Sequence, residues 1–124
     1  MIQSGLLTFW GFHKNDTIEQ AKYCLNKCLS CRLFEDSSNK MNLSLTDTKK
    51  ELLIVSQFTL YGNCNKGRRP SFEEALEPQK AQELYDQLIQ LAKETYPHIQ
   101  TGQFREKMTV NSENDGPVTI ILEK

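Results

Sequence analysis

Two short stretches of this chain of 124 residues combine polar groups with unusual backbone. Ser56-Gln57-Phe58-Thr59-Leu60 brings two hydroxyls and an amide to the end of an apolar run. Asn114-Asp115-Gly116-Pro117-Val118-Thr119 sets a Gly-Pro pair at the mouth of a second apolar run, which continues to Leu122. Proline lacks a backbone N–H and fixes its own φ, while glycine tolerates conformations that other residues resist. Together they offer two carbonyls at a stiff corner with no side chain in the way. Such a corner serves either as a turn alone or as a steric gauge against a ligand. Neither stretch is a general catalytic signature. There is no G-x-S-x-G elbow to make Ser56 a nucleophile of that kind, and no P-loop. His13 and His98 are the only imidazoles, and both lie outside the two stretches in polar surroundings. Asp115, beside the turn glycine, is expected to support the turn through its backbone. An enzyme built on these residues must draw its chemistry from backbone groups, a hydroxyl, or the substrate itself.

The elements that would position these stretches follow from hydrophobic periodicity. Gly5–Phe12 is apolar and bounded by glycines, as for a buried strand. Asp16 with Glu19 resembles a capping box, followed by a helix from about Thr17 to Ser30. Ile18, Ala21, Cys24, Leu25, Cys28 and Leu29 form its apolar stripe. Arg32-Leu33-Phe34 is a short strand candidate. Met41, Leu43 and Leu45 alternate with polar residues, the mark of a half-buried strand, and Asp47–Lys50 reads as a turn. Glu51–Leu60 is the strongest strand, continuously apolar in its first half and polar toward its end. Tyr61–Phe72 is a long loop carrying Lys66, Arg68 and Arg69. A second helix runs from about Gln79 to Tyr96, opened by Pro78 and ended by Pro97. Strands are expected at Ile99–Gln103, Lys107–Asn111 and Pro117–Leu122. The order β-α-β-β-β-α-β-β-β, with only two helices, predicts an α+β fold with mainly antiparallel sheets.

Composition narrows the function classes. One domain spanning residues 1–124 suits the length. Hydrophobic content of 38% with 25% charged residues describes a globular chain, and a net charge of −1 excludes wholesale coating of nucleic acid. Any RNA contact must come from a local patch, of which Lys66, Arg68 and Arg69 are the best phosphate-binding group. No apolar run approaches the roughly 20 residues of a membrane span, and Met1–Gly5 lacks a signal-peptide layout, so the cytoplasm is the expected location. Of the four cysteines, Cys24, Cys28 and Cys31 fall at helical spacing. They read as small apolar residues beneath a helix, or as a zinc site that no paired C-x-x-C pattern supports.

The residues also resemble a known family. Ser56–Leu60 is similar to the S-Q-F-T-L signature of the D-aminoacyl-tRNA deacylases, and Asn114–Thr119 to their N-x-G-P-V-T signature. Gly5-Leu6-Leu7, Phe34-Glu35-Asp36, Lys40–Leu43, Gly67 with Arg69–Phe72, and Thr101–Phe104 extend the resemblance collinearly over essentially the whole chain. It implies a three-layer β/β/α fold and a homodimer with a cross-subunit active site. The implied reaction is hydrolysis of the ester joining a D-amino acid, or glycine, to the terminal adenosine of tRNA, without cofactor or metal. By resemblance, Ser56–Thr59 forms the pocket floor, and backbone N–H groups near Gln57 and Phe58 form an oxyanion hole. Phe58 lines the adenosine or aminoacyl site. Either Thr59 is the nucleophile or the 2′-OH of the terminal ribose assists water. Gly116 and Pro117, joined by a cis bond in the family, exclude an L side chain from the partner subunit's pocket. The alternative is a non-catalytic nucleic-acid-binding or dimerisation module of the same fold. Three departures stand out: family members carry a leading strand and hairpin before the segment matching Met1–Leu7, Asn111-Ser112-Glu113 replaces a more apolar pattern, and Asn63 stands where Asp is frequent.

Overall fold

The computed structural model describes all residues, 1–124. Its elements are β1 (Gly5–Trp10), α1 (Ile18–Ser30), β2 (Phe34–Glu35), β3 (Met41–Leu43), α2 (Leu45–Thr48), β4 (Glu51–Ser56), a 3-10 helix (Phe58–Tyr61), α3 (Pro78–Thr95) and β5 (Ile99–Thr101). The α+β class holds, but the strand directions differ from the sequence expectation. β1, β4 and β5 form one sheet in the order β1-β4-β5, and both pairings are parallel, from Gly5↔Glu51 to Trp10↔Ser56 and from Leu52↔Ile99 to Ile54↔Thr101. Antiparallel pairing is confined to β2–β3 and two isolated bridges. The reason is the placement of the helices. Each long helix falls between two strands that are neighbours in the sheet, and a crossover through a helix delivers the next strand parallel.

Other boundaries moved for local reasons. The N-cap of α1 is Thr17, not Asp16: its hydroxyl accepts from the Glu19 N–H, while Gln20 reaches back to the Thr17 N–H at 2.8 Å. Asp16 instead accepts from the His13 N–H at 2.7 Å. The alternation through Leu45 breaks at Ser44, whose own capping box with Asp47 starts a third helix, α2, closed by Lys49 in the left-handed region. Residues 107–111 and 117–122 form no strand, since they find no pairing partner within the chain.

The alternation of side chains along a strand separates the sheet's two faces. Leu6, Trp10, Leu52, Ile54 and Ile99 face α1 and α3 and join Leu25, Leu29, Tyr85, Leu88 and Ala92 in the main core. Leu25, Leu45, Leu52, Ile54 and Leu88 are fully buried, each contributing on the order of 1.5–3 kcal/mol by removal from water. Two tyrosines stitch this core with polar tips. Tyr85 donates to the Gly102 carbonyl at 2.8 Å, and Tyr96 bonds the Leu45 and Lys50 carbonyls. Burial pushes the Tyr85 hydroxyl's pKa up to about 12, so it stays a donor. On the other face Val55 is buried but Phe9 is exposed, and Met108 lies against Gly102 beside Val55. The segment after β5 ends at α1, where the Lys124 ammonium sits 4.6 Å from the centre of the Tyr23 ring. No helix is long and apolar enough to cross a membrane.

Candidate active site

β4 stops being a strand at Ser56, where its apolar run ends. The Gln57 N–H still donates to the Trp10 carbonyl at 2.7 Å, extending the contact with β1 by one bond. The backbone then coils into the 3-10 helix 58–61, whose first turn is closed by the Leu60 N–H donating to the Gln57 carbonyl at 3.3 Å. In any such turn the leading N–H groups precede the first internal bond. Here the Phe58 and Thr59 N–H groups carry no hydrogen bond within the chain. They lie just beyond the carboxyl ends of two adjacent parallel strands, where open parallel sheets place their ligand crevices. Of the two backbone donors that the resemblance implies for an oxyanion, the Gln57 N–H is already engaged and the Phe58 N–H is open; the Thr59 N–H beside it, not expected from the sequence, is open too.

The Gln57 amide bonds the Thr59 hydroxyl. Phe58, Thr59 and Leu60 are exposed, and the Phe58 ring packs against Phe72 with centroids 5.1 Å apart. No carboxylate, imidazole or amine bonds Thr59, so nothing in contact with it could take its proton. Tyr61, the last residue of the 3-10 helix, has its pKa raised, first by burial and then by the charges of Asp16 and Glu123.

Lys66, Arg68 and Arg69 lie on the next loop, exposed and outside any ion pair. The loop is pinched at its neck: Asn63 and Ser71 exchange two backbone bonds of 2.8 Å, and the Asn63 carboxamide accepts from the Asn65 N–H. Three unpaired cations thus project from a closed neck beside the Phe58 corner. Beyond the neck, Glu74 receives both His13 Nε2 and Lys14 Nζ at 2.9 Å, and its pKa is lowered by those hydrogen bonds. His13 is therefore a clamp between the β1–α1 loop and the approach to α3. The only sign of this in the sequence is a pair of oppositely charged loops.

The second stretch is organised by Asn114, not by Asp115. Asn114 Oδ1 accepts from the Val118 N–H at 3.1 Å and its Nδ2 donates to Thr119 Oγ1 at 3.0 Å. Between them Gly116–Pro117 is a cis peptide, with Gly116 at φ +128°. A β-carbon on Gly116 would meet Val118 Cγ2 at 2.9 Å, so both backbone and space demand glycine. The signal for Asn114 is an Asx residue four before a free N–H, a pattern that reads as a loop brace. All its bonds are local: no hydrogen bond joins residues 114–119 to residues 56–59 within the chain. The run after the corner is exposed, Ile121 to 83%.

The cysteines are free thiols, with Cys28 buried beneath α1 and its pKa raised to about 12 by burial and by Cys24 and Cys31. No three His, Cys, Asp or Glu side chains converge as metal ligands would.

Residues 1–123 match the family model described as D-Tyr-tRNA(Tyr) deacylase. A D-aminoacyl-tRNA deacylase of Thermosipho melanesiensis is 50% identical over 123 residues, covering 98% of this chain and 82% of that protein. One from Clostridium botulinum is 50% identical over 122 residues with the same coverage. Among solved structures, a c-Myc DNA Unwinding Element Binding Protein superposes with a TM-score of 0.92 at 36% identity, over 99% of this chain and 84% of that one. A probable eukaryotic D-amino acid tRNA deacylase, at 22% identity and a TM-score of 0.65 over 74% of this chain and 54% of that one, shares the fold.

Proposed function

The chain belongs to the D-Tyr-tRNA(Tyr) deacylase family, and from that premise we propose that it hydrolyses the ester of D-aminoacyl-tRNA, and of glycyl-tRNA, while sparing L-aminoacyl-tRNA. The observation that carries this reading is the pair of open N–H groups at Phe58 and Thr59, at the carboxyl end of β4. They are arranged to receive the carbonyl oxygen as it gains charge. Removing one such donor costs an enzyme on the order of 10²–10³ in kcat. Ser56 and the Gln57 amide line the floor beside them. With no base at Thr59, the ribose 2′-OH next to the ester is the better group to assist water, and Thr59 orients through its bond with Gln57.

Selection between enantiomers falls to the Gly116–Pro117 corner. Every ~1.4 kcal/mol of clash yields about a tenfold preference, and backbone carbonyls yield less than side chains do. Because the corner's own bonds are all local, it is best placed to act from a second subunit, so the active form is a homodimer with a shared pocket. Lys66, Arg68 and Arg69 hold phosphates of the tRNA end. Such work belongs in the cytoplasm, where charged tRNA is used. The test is to incubate the purified chain with D-Tyr-tRNA, L-Tyr-tRNA and Gly-tRNA and follow deacylation. Loss of the D-tyrosyl and glycyl esters alone is expected; a folded protein inert on D-Tyr-tRNA contradicts the proposal.

A second reading is supported by the structural relative whose name records binding to a DNA element. In it the fold serves as a nucleic-acid-binding module, with the basic loop as the contact and no hydrolysis. Binding of uncharged RNA or DNA without turnover of any ester distinguishes it.

A further inference from the structure

Phe58 presents 57% of its surface to water, so burial does not fix its ring. The one ring it touches is Phe72, at 5.1 Å and an interplanar angle of 61°. An edge-to-face contact of this kind leaves at least one face of each ring free for a third group. Phe72 itself is held from both sides. Its neighbour Ser71 is locked to Asn63 by the two bonds of the loop neck, and its carbonyl accepts from the Ala75 N–H at 3.0 Å. Glu74, two residues on, is clamped by His13 and Lys14. Gly62 supplies the space: a β-carbon there would stand 3.1 Å from Phe72 Cε1 and 2.9 Å from the Thr59 carbonyl. Gly62 has φ −63°, so alanine is permitted by its backbone and excluded only by these two neighbours.

We propose that Phe72 is a positioning residue that sets the Phe58 ring as a stacking platform for the terminal base of the substrate, with Gly62 keeping the space it needs. This rests on the reading that the ester of a 3′-terminal adenosine is the substrate. Base and ester hang on the same ribose, and Phe58 carries both a stacking ring and one of the two open N–H groups. The platform therefore shares its residue with one oxyanion donor and adjoins the other, and the basic loop follows directly through the Asn63–Ser71 neck. A nucleotide lying across this corner has its base on Phe58, its ester at the Phe58 and Thr59 N–H groups, and its 5′ phosphate toward Lys66, Arg68 and Arg69.

The test uses AMP, which carries the base and phosphate but no aminoacyl ester, alongside D-Tyr-tRNA. Phe72→Leu is expected to weaken AMP binding about tenfold, the size of one aromatic pair contact. It should raise KM for D-Tyr-tRNA by a similar factor and leave kcat within about twofold. Phe72→Tyr keeps the ring and should restore both values. Gly62→Ala, whose β-carbon would press on Phe72 Cε1 and on the Thr59 carbonyl, should shift AMP binding in the same direction as Phe72→Leu. Wild-type protein that fails to bind AMP, or a Phe72→Leu protein with unchanged AMP binding, overturns the proposal. A loss confined to kcat and shared equally by Leu and Tyr variants overturns it as well. AMP binding that depends on Phe72 in a protein inert on D-Tyr-tRNA would uphold the platform and refute the deacylase reading.

Discussion

The two signature stretches of this chain are held in opposite ways. Ser56–Leu60 hangs from the sheet: β4 is paired on both sides, Leu52 and Ile54 beneath it are fully buried, and the Gln57 N–H is tied to β1. Asn114–Thr119 has no such support and is braced by one carboxamide, within an exposed segment that pairs with nothing in its own chain. The first region is rigid because folding makes it so; the second is shaped locally and offered outward. A pocket floor needs the former. A gauge that acts on a ligand held by another subunit needs the latter, with its shape fixed before it arrives.

Mutations that separate folding from shape test this contrast. The largest effect is expected beneath the strand end. Ile54→Ala should lower stability by about 2–5 kcal/mol in urea unfolding, whereas Ile121→Ala should stay within about 0.5 kcal/mol. Equal losses would mean that the C-terminal run is core and not an offered surface. Next comes the brace. Asn114→Ala removes two exposed, local hydrogen bonds that shape the corner and carry little of the folding free energy. It should reduce the D-over-L preference in Tyr-tRNA hydrolysis about tenfold while the unfolding midpoint barely moves. A preference that survives intact would show that the corner keeps its shape without Asn114.

Smaller effects are expected at Thr59 and at the clamp. Thr59→Ala should retain kcat on D-Tyr-tRNA within about tenfold, since no base activates that hydroxyl; complete loss with the fold preserved would restore it as nucleophile. Glu74 has its pKa lowered by its hydrogen bonds with Lys14 and then His13, so its contribution is present above the unfolded carboxylate value and is lost as pH falls through the folded one. Stability should therefore decline between about pH 5 and 3, slightly more steeply than in Glu74→Gln. Identical acid limbs would leave the clamp without thermodynamic weight.

The readable part of the molecule is what periodicity encodes. The stripe of α1 and the apolar first half of β4 stand in the sequence, and both supply the core, through Ala21, Leu25, Cys28 and Leu29 and through Leu52, Ile54 and Val55. The parallel direction follows from the order of elements, because a long helix separates each pair of sheet neighbours; the number of helices alone does not reveal it. Ser44 and Thr17 show how a hydroxyl cap outweighs a pattern of alternation or an acidic neighbour. The strands expected at residues 107–111 and 117–122 mark the limit of this approach. Their β-forming residues are real, but a strand needs an edge to pair with, and hydropathy does not say whose. At the site, residue types alone pointed to Ser56–Thr59 and Gly116–Pro117. The open N–H groups of Phe58 and Thr59, the Asn114 brace and the Phe72 contact depend on where backbone bonds and rings fall in space, which no spacing rule specifies.

In the proposed function the Gly-Pro corner selects by occupying space and performs no bond chemistry. This selection is tested most directly by measuring kcat/KM for D-Tyr-tRNA and L-Tyr-tRNA in the wild type and in Pro117→Gly side by side. The loosened corner is expected to admit the L ester, raising its hydrolysis at least tenfold, while the D ester is cleaved at nearly the wild-type rate. A variant that loses D-Tyr-tRNA hydrolysis and still spares L-Tyr-tRNA would contradict it.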